Sequence, residues 1–157
     1  AKVTLGNERV SLSGEGALWG RGPTAADLVE LAKGRTLRPL QRDELVRVWS
    51  EGRVLSLLRD RLVAAALQGR APGPEASVRK ALADDHGQHV MGLAMDLAGT
   101  AGVLSGTGPF GAAGLAGAEW SHGFLYAQAL TIGGGTAAVQ RNIVAERVLD
   151  LPRDPSA

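Results

Sequence analysis

The sequence predicts an all-α protein, an antiparallel (up-and-down) helical bundle. Three observations carry that reading. Apolar residues recur at three- and four-residue steps through most of the chain. No segment sustains the period-two alternation of β-branched residues that marks a half-buried strand. The breaks between periodic stretches are Gly- and Pro-rich turns, which make consecutive helices antiparallel neighbours. Aromatic content of 4% against 22 glycines further indicates helices packed closely at small residues.

The elements follow in order. A first helix is expected from about Val3 to Trp19, where Leu5, Leu12 and Trp19 form a seam flanked by Val10 and Ala17. The run Gly20-Arg21-Gly22-Pro23 breaks it, and Thr24 is placed to cap a short second helix through Leu28, Leu31 and Ala32. A longer helix follows Pro39 and keeps helical spacing through Leu45, Val48, Trp49, Gly52, Leu55 and Leu62 to roughly Leu67. Ala71-Pro72-Gly73-Pro74 is a turn, and from Glu75 a second long helix carries Val78, Leu82, His89, Val90, Leu93 and Leu97. Residues from Gly99 to Gly117 are Gly- and Ala-rich and read as irregular or weakly helical. Trp120 to Leu130 reads as a helix, and after a triple-Gly turn a last helix uses Val139, Ile143, Val144 and Val148 before Pro152.

Composition narrows the function classes. The 157 residues suffice for one core and require no second one. Seventeen basic against sixteen acidic residues leave a formal charge of +1, which argues against nucleic acid or an anionic membrane as the main partner. There is no Cys, so disulfide and thiolate chemistry are excluded, and the three His lack metal-ligand spacing with carboxylates. His86, Gln88 and His89 share a helix, but the carboxylates beside them in sequence are only Asp84 and Asp85, so packing or surface roles are expected. Arg53, Arg59, Asp60 and Arg61 read as a solvated face with weak local ion pairs, and Trp19, Trp49 and Trp120 as core or interface anchors. No apolar run reaches membrane-spanning length and no signal-peptide pattern opens the chain, so the expected address is the cytoplasm.

Two local features bear on chemistry. Gly133-Gly134-Gly135-Thr136 describes a backbone that approaches something closely before a helix begins, with Thr136 as N-cap. Such a helix start offers N–H groups to an electron-rich ligand, but a Gly-rich cap has the same sequence, and no Lys-Ser/Thr follows to make a phosphate loop. Glu8 lies three residues after Leu5 and four before Leu12, on one helical face. A carboxylate inside an apolar stripe is tuned toward a general base, whereas one at the stripe's edge pairs with Arg9 or another surface cation.

The stretch IGGGTAAVQRNIVAERVLDLPR, from Ile132 to Arg153, resembles the closing motif of the acyl-CoA dehydrogenase family, and the likeness runs back through most of the chain. The resemblance implies a C-terminal helical-bundle domain of a flavoprotein that oxidises acyl-CoA to 2-enoyl-CoA in lipid metabolism. It implies FAD as cofactor, acyl-CoA as substrate, a homo- or hetero-oligomer (dimer or tetramer) and an electron-acceptor flavoprotein. It also implies that the family's N-terminal helical and middle β domains lie outside these 157 residues and that the bundle alone is inactive.

In most members the base that removes the α-proton is a Glu in the Gly-Thr turn, where this chain has Gly134. The isovaleryl and long-chain branch instead carries Gly there and a Glu immediately before an Arg in the helix opening the C-terminal domain. Asn7-Glu8-Arg9-Val10 stands at that place, so the resemblance makes Glu8 the base and puts Arg9 near the CoA portion or against local acidic groups. It makes Gly135 and Thr136 flavin contacts, with Ala138 standing where a Glu or Gln is usual. A second family motif, Q-x-x-G-G-x-G, contacts a neighbouring subunit's FAD and survives only as Asp96-Leu97-Ala98-Gly99-Thr100-Ala101-Gly102. Gly99 is therefore either a flavin contact or a helix C-cap, and Asp96 either the relic of the Gln or a solvated helix residue. A third motif, R-x-x-F-G, has no counterpart between Arg21 and Pro39. Thinned flavin motifs fit a divergent, actinobacterial-type subgroup. They leave open a non-catalytic subunit or assembly module of a heteromeric enzyme, and also a bundle with no flavin connection.

Overall fold

The computed structural model describes residues 16–18, 20–70, 73–100 and 120–153. They form five helices: α1 (Ala25–Ala32), α2 (Pro39–Leu67), α3 (Glu75–Ala98), α4 (Trp120–Ala127) and α5 (Ala137–Arg147). No strand occurs among the described residues, which hold only the isolated bridges Gly16–Gly20 and Leu18–Arg21. The all-α bundle predicted from periodicity is therefore the fold observed.

The helix starts follow their capping chemistry. Thr24 closes a capping box at α1: its hydroxyl accepts from the Asp27 amide at 3.2 Å, and the Asp27 carboxylate accepts from the Thr24 amide at 2.8 Å. At α2 the Arg38 amide donates to Gln41 Oε1 at 3.0 Å, and Pro39 occupies a first-turn position where its missing N–H costs nothing. Thr136 caps α5 by accepting from the Val139 amide.

The first expected helix needs correction at its end. Ala17 and Leu18 are not helical: Leu18 N donates to Arg21 O at 2.9 Å, Arg21 N to Leu18 O at 3.0 Å and Ala17 N to Pro23 O at 2.9 Å, making a tight reversal. A β-carbon on Gly16 would fall 2.1 Å from Arg21 O, and Gly20 and Gly22 have φ of 79° and 69°, so glycine decides the conformation here against the apolar spacing. The rest of that expected helix, Trp19 included, lies outside the described residues.

α3 is the hub. It packs against α1, α2, α4 and α5, whereas among the described residues α2 packs only against α1 and α3. Val90, Met91, Leu93 and Ala94 of α3 meet Leu28, Leu31, Val48, Trp120, Ala127 and Leu130 in one core. Helices touch at glycines, as the composition suggested: a β-carbon on Gly52 would sit 3.1 Å from Ala25 Cβ and one on Gly123 2.7 Å from Met91 Sδ, while one on Gly87 would fall 2.3 Å from Ala17 O in the reversal. Leu82, expected on the buried face of α3, is 45% exposed, and the buried positions instead include Ser77, Arg79, Lys80, Asp84 and His86. Being packed on several sides, α3 has no single apolar stripe for periodicity to reveal.

At the centre of this polar interior the Lys80 ammonium makes an ion pair with Asp84 one turn on and donates at 3.0 Å to the Leu130 carbonyl beyond α4. Both side chains are at most 3% exposed. Removing one partner from such a pair leaves the other charged and buried, at a cost of about 3–5 kcal/mol. Lys80→Met is therefore expected to lower stability by about that amount, and Lys80→Met/Asp84→Leu by clearly less; chemical denaturation of both variants checks the difference.

Candidate functional site

The Gly-rich turn between α4 and α5 is the described element that the sequence singled out most strongly. Gly134 and Gly135 have φ of 65° and 97°, in the left-handed region that side chains disfavour. The turn is held from beneath by Gln140, fully buried in the first turn of α5, whose amide nitrogen donates to Gly134 O at 2.9 Å and Gly135 O at 3.4 Å. A β-carbon on Gly135 would fall 2.8 Å from that nitrogen. Thr136 is exposed; its oxygen accepts from Val139 N at 3.3 Å, which leaves its hydroxyl proton free to be donated outward. Of the apolar residues expected to pack from the last helix, Ile143 and Val144 are half-buried, whereas Val139 and the C-cap Val148 are 45% and 40% exposed, and Gln140 is the fully buried residue.

Gly99 stands at the other expected contact. It is the C-cap of α4's neighbour α3, exposed, with φ 56°, and its amide donates to Met95 O. The C-cap alternative is thus what the backbone displays. Asp96 is engaged: Arg38 Nη2 donates to both its oxygens at 2.8 Å and Gln41 Nε2 to Oδ2 at 2.7 Å. The Gln41 hydrogen bond first, then Arg38, holds the Asp96 carboxyl below its ordinary range. This cluster ties the start of α2 to the end of α3. Glu8 and Arg9 lie outside the described residues.

One constellation escaped the sequence reading. His86 Nδ1 and His89 Nδ1 lie 3.3 and 3.2 Å from Glu51 Oε2, while Arg47 Nε donates to Glu51 Oε1 at 3.1 Å. The carboxylate that meets the histidines comes from α2, 35 and 38 residues away, and not from Asp84 or Asp85. Burial alone would raise the Glu51 carboxyl, but hydrogen bonds from His89, His86 and Arg47 outweigh it and hold it low. Burial pushes the His86 imidazole below its ordinary value despite Glu51. These are hydrogen-bonding distances. Among the described residues no group of three or more His, Asp or Glu side chains is arranged to hold a metal. Of the expected tryptophan anchors, Trp120 is buried and Trp49 is 48% exposed.

Residues 1–149 match the family model of the acyl-CoA dehydrogenase C-terminal domain. The chain belongs to the acyl-CoA dehydrogenase family. It is 36% identical over 160 residues to acyl-CoA dehydrogenase IpdE1 of Mycobacterium tuberculosis, covering 98% of this chain and 38% of that protein. It is 37% identical to IpdE1 of Mycolicibacterium smegmatis over 131 residues, covering 82% and 30% respectively. The solved Tcur3481-Tcur3483 steroid ACAD shares the fold with a TM-score of 0.74 at 24% identity, over 98% of this chain and 40% of that one. A chain of the ChsE4-ChsE5 complex of Mycobacterium tuberculosis matches with a TM-score of 0.64 at 28% identity, over 83% and 34%. The chain thus spans about a third of the length of the curated IpdE1 relatives. As a family, acyl-CoA dehydrogenases are FAD-dependent oxidoreductases, and no described helix of this chain is long and apolar enough to cross a membrane.

Two outcomes follow from this geometry. Gln140→Leu removes the donor that satisfies two turn carbonyls and should cost about 1–3 kcal/mol, with faster amide exchange confined to the turn and the start of α5. The Glu51–His86 pair sets a pH dependence. Both groups have depressed folded-state pKa values, so the unfolded chain binds more protons and stability is lost as pH falls. The His86 part is complete above the ordinary imidazole value of about 6.5 and fades below it. Denaturation midpoints from pH 7 to pH 5 should fall, and His86→Gln should flatten the slope in that window.

Proposed function

We propose that this chain is the C-terminal domain of an enzyme that oxidises an acyl-CoA to its 2-enoyl-CoA, with Glu8 as the base. The observation that carries the reading is a paired departure. The turn that holds the base in most of the family has Gly134, with positive φ and its carbonyl fixed by Gln140, while a Glu-Arg pair stands at residues 8 and 9. Family membership supports the rest of the assignment.

FAD, when bound, supplies the acceptor for the hydride that leaves Cβ. The turn fits the polar edge of such a group: Gly133, Gly134 and Gly135 are half-buried and carry no side chain to fend it off, and Thr136 has a hydroxyl proton to donate. Gly135 and Thr136 would hold and orient it from this chain, and Gly99, exposed even as it caps α3, would lie against the FAD of a neighbouring subunit. Glu8 takes the α-proton of the thioester, its basicity raised by exclusion of water, and Arg9 holds the CoA portion. Acyl-CoA is the substrate, and a second flavoprotein carries the electrons away.

Exposed apolar side chains along α2 favour a companion reading: an oligomer, homomeric or heteromeric, in which this bundle is also an assembly surface. Leu40, Val46, Val54, Leu57, Val63 and Leu67 are each at least 50% exposed on one helix. A chain of the ChsE4-ChsE5 complex, whose two components bear different names, has a similar fold. In a heteromer this subunit would act chiefly by holding its partner's flavin.

Glu8→Gln in the full-length enzyme separates the two roles. Loss of turnover by about 10²-fold or more, with flavin absorbance near 450 nm retained, is the expected result. Unchanged turnover of acyl-CoA would move the base to another residue and leave assembly as this chain's part.

A further inference from the structure

Two buried donors fix the chain between α4 and α5. Lys80 Nζ donates to Leu130 O at one end at 3.0 Å, and Gln140 Nε2 donates at the other to Gly134 O at 2.9 Å and Gly135 O at 3.4 Å. Gln140 is fully buried, and its Oε1 is enclosed and meets no donor among the described residues. A methionine of similar length would fill that space without an unpaired oxygen, which costs about 1–3 kcal/mol. As a filler the amide is therefore poor. What distinguishes it is the direction in which it holds two carbonyls.

That direction acts beyond the turn. A trans peptide unit is planar, with its N–H pointing opposite its C=O. The Gly134 carbonyl shares a unit with the Gly135 amide, and the Gly135 carbonyl shares one with the Thr136 amide. Drawing both oxygens onto the buried Gln140 therefore sends both N–H groups away from that interior, and neither donates to an acceptor among the described residues. The positive φ of Gly134 and Gly135 is the backbone conformation that allows two successive units to turn this way. The exposed Thr136 hydroxyl follows on the same stretch. We infer that Gln140 is the positioning residue of the flavin-facing turn: without touching the cofactor, it presents the Gly135 and Thr136 donors to it. This holds on the reading that Gly135 and Thr136 meet FAD, and it makes flavin affinity depend on a side chain the flavin does not reach.

The test is titration of the flavin-stripped full-length enzyme with FAD, in the oligomeric form in which it is isolated, followed by flavin fluorescence between about pH 5.5 and 8. Gln140→Leu should weaken FAD binding by about tenfold or more, because two carbonyls lose their donor and the turn is freed. Thr136→Ala, which removes a hydroxyl the cofactor meets directly, should weaken it several-fold. Gln140→Glu is the decisive variant. It keeps the shape, but between two carbonyls only its protonated form can donate, and burial favours that form. Its affinity should lie within about threefold of the unmodified enzyme's at the acid end and fall about tenfold or more at the alkaline end, while the ratio for Gln140→Leu stays constant. All of these proteins carry the same Lys80–Asp84 pair and the same exposed Arg141 on the two helices that pack here, so a slope confined to Gln140→Glu belongs to position 140. A side chain that merely fills space gives no such slope. Should Gln140→Leu fail to fold, the pH profile of Gln140→Glu carries the decision. Binding weakened by Thr136→Ala but untouched by Gln140→Leu, or a Gln140→Glu affinity equal to the unmodified enzyme's at every pH, overturns the inference and leaves the flavin reading standing. Affinity unchanged in all three variants removes FAD from this turn and the positioning role with it.

Discussion

The buried Lys80 ammonium is the constraint on which the bundle's arrangement rests. It is paired with Asp84 within its own helix and still donates to Leu130 O, so α3 and the chain beyond α4 are joined by an interaction that water cannot replace. An i,i+4 ion pair on a surface helix contributes a few tenths of a kcal/mol, but the same pair at 3% and 1% exposure makes a mispacked alternative pay the full cost of a buried charge. That penalty fixes where Leu130 sits, and Leu130 in turn lies where a β-carbon on Gly87 would fall 2.4 Å away. The approach of the Gly-rich turn toward α3 is thus set by a charge and a missing methyl.

This explains which parts of the fold were legible in the sequence. Helix starts are local events: Thr24 with Asp27, Pro39 and Thr136 each act within four residues, and α1, α2 and α5 begin where those residues place them. The buried face of α3 is a tertiary matter. A helix packed by four others buries Ser77, Arg79 and Lys80 while exposing Leu82, and no periodicity records that. The end of the first expected helix failed for a different reason. Apolar spacing continued to Trp19, but Gly16 is needed where Arg21 O approaches, and close backbone contact outranked the stripe.

The site followed the same division. Gly134, Gly135 and Thr136 announced a special turn, and its glycines do occupy positive φ. What the residues alone left open was why the turn needs them. Part of the answer is internal, because Gln140 fills the space beneath Gly135 and binds the carbonyls on either side of that link. The glycine requirement is therefore not by itself a measure of ligand contact. The ligand reading rests on the outward side, where Thr136 keeps a hydroxyl proton unspent. Glu51, His86 and His89 were invisible for want of long-range information, since the carboxylate and the imidazoles are separated by more than thirty residues.

α2 shows how one helix serves two demands. Its inner positions, Gln41, Val48 and Leu55, are spaced by seven and are buried against α3 and α1. Its remaining surface is nevertheless apolar at Val46, Val54 and Leu57, where a helix facing only water would carry charge. Packing within the described bundle does not account for that composition, because α2 meets only α1 and α3 there. Polar contacts instead secure the helix on its inner side: Asp96 with Arg38 and Gln41 at one end, and Glu51 with His86 and His89 near the middle. A helix pinned by directional contacts can leave outer apolar residues exposed without shifting to bury them. That is the physical condition an assembly surface requires, and it connects the hydrogen bonds of the α2–α3 seam to the proposed role of this bundle in a larger enzyme.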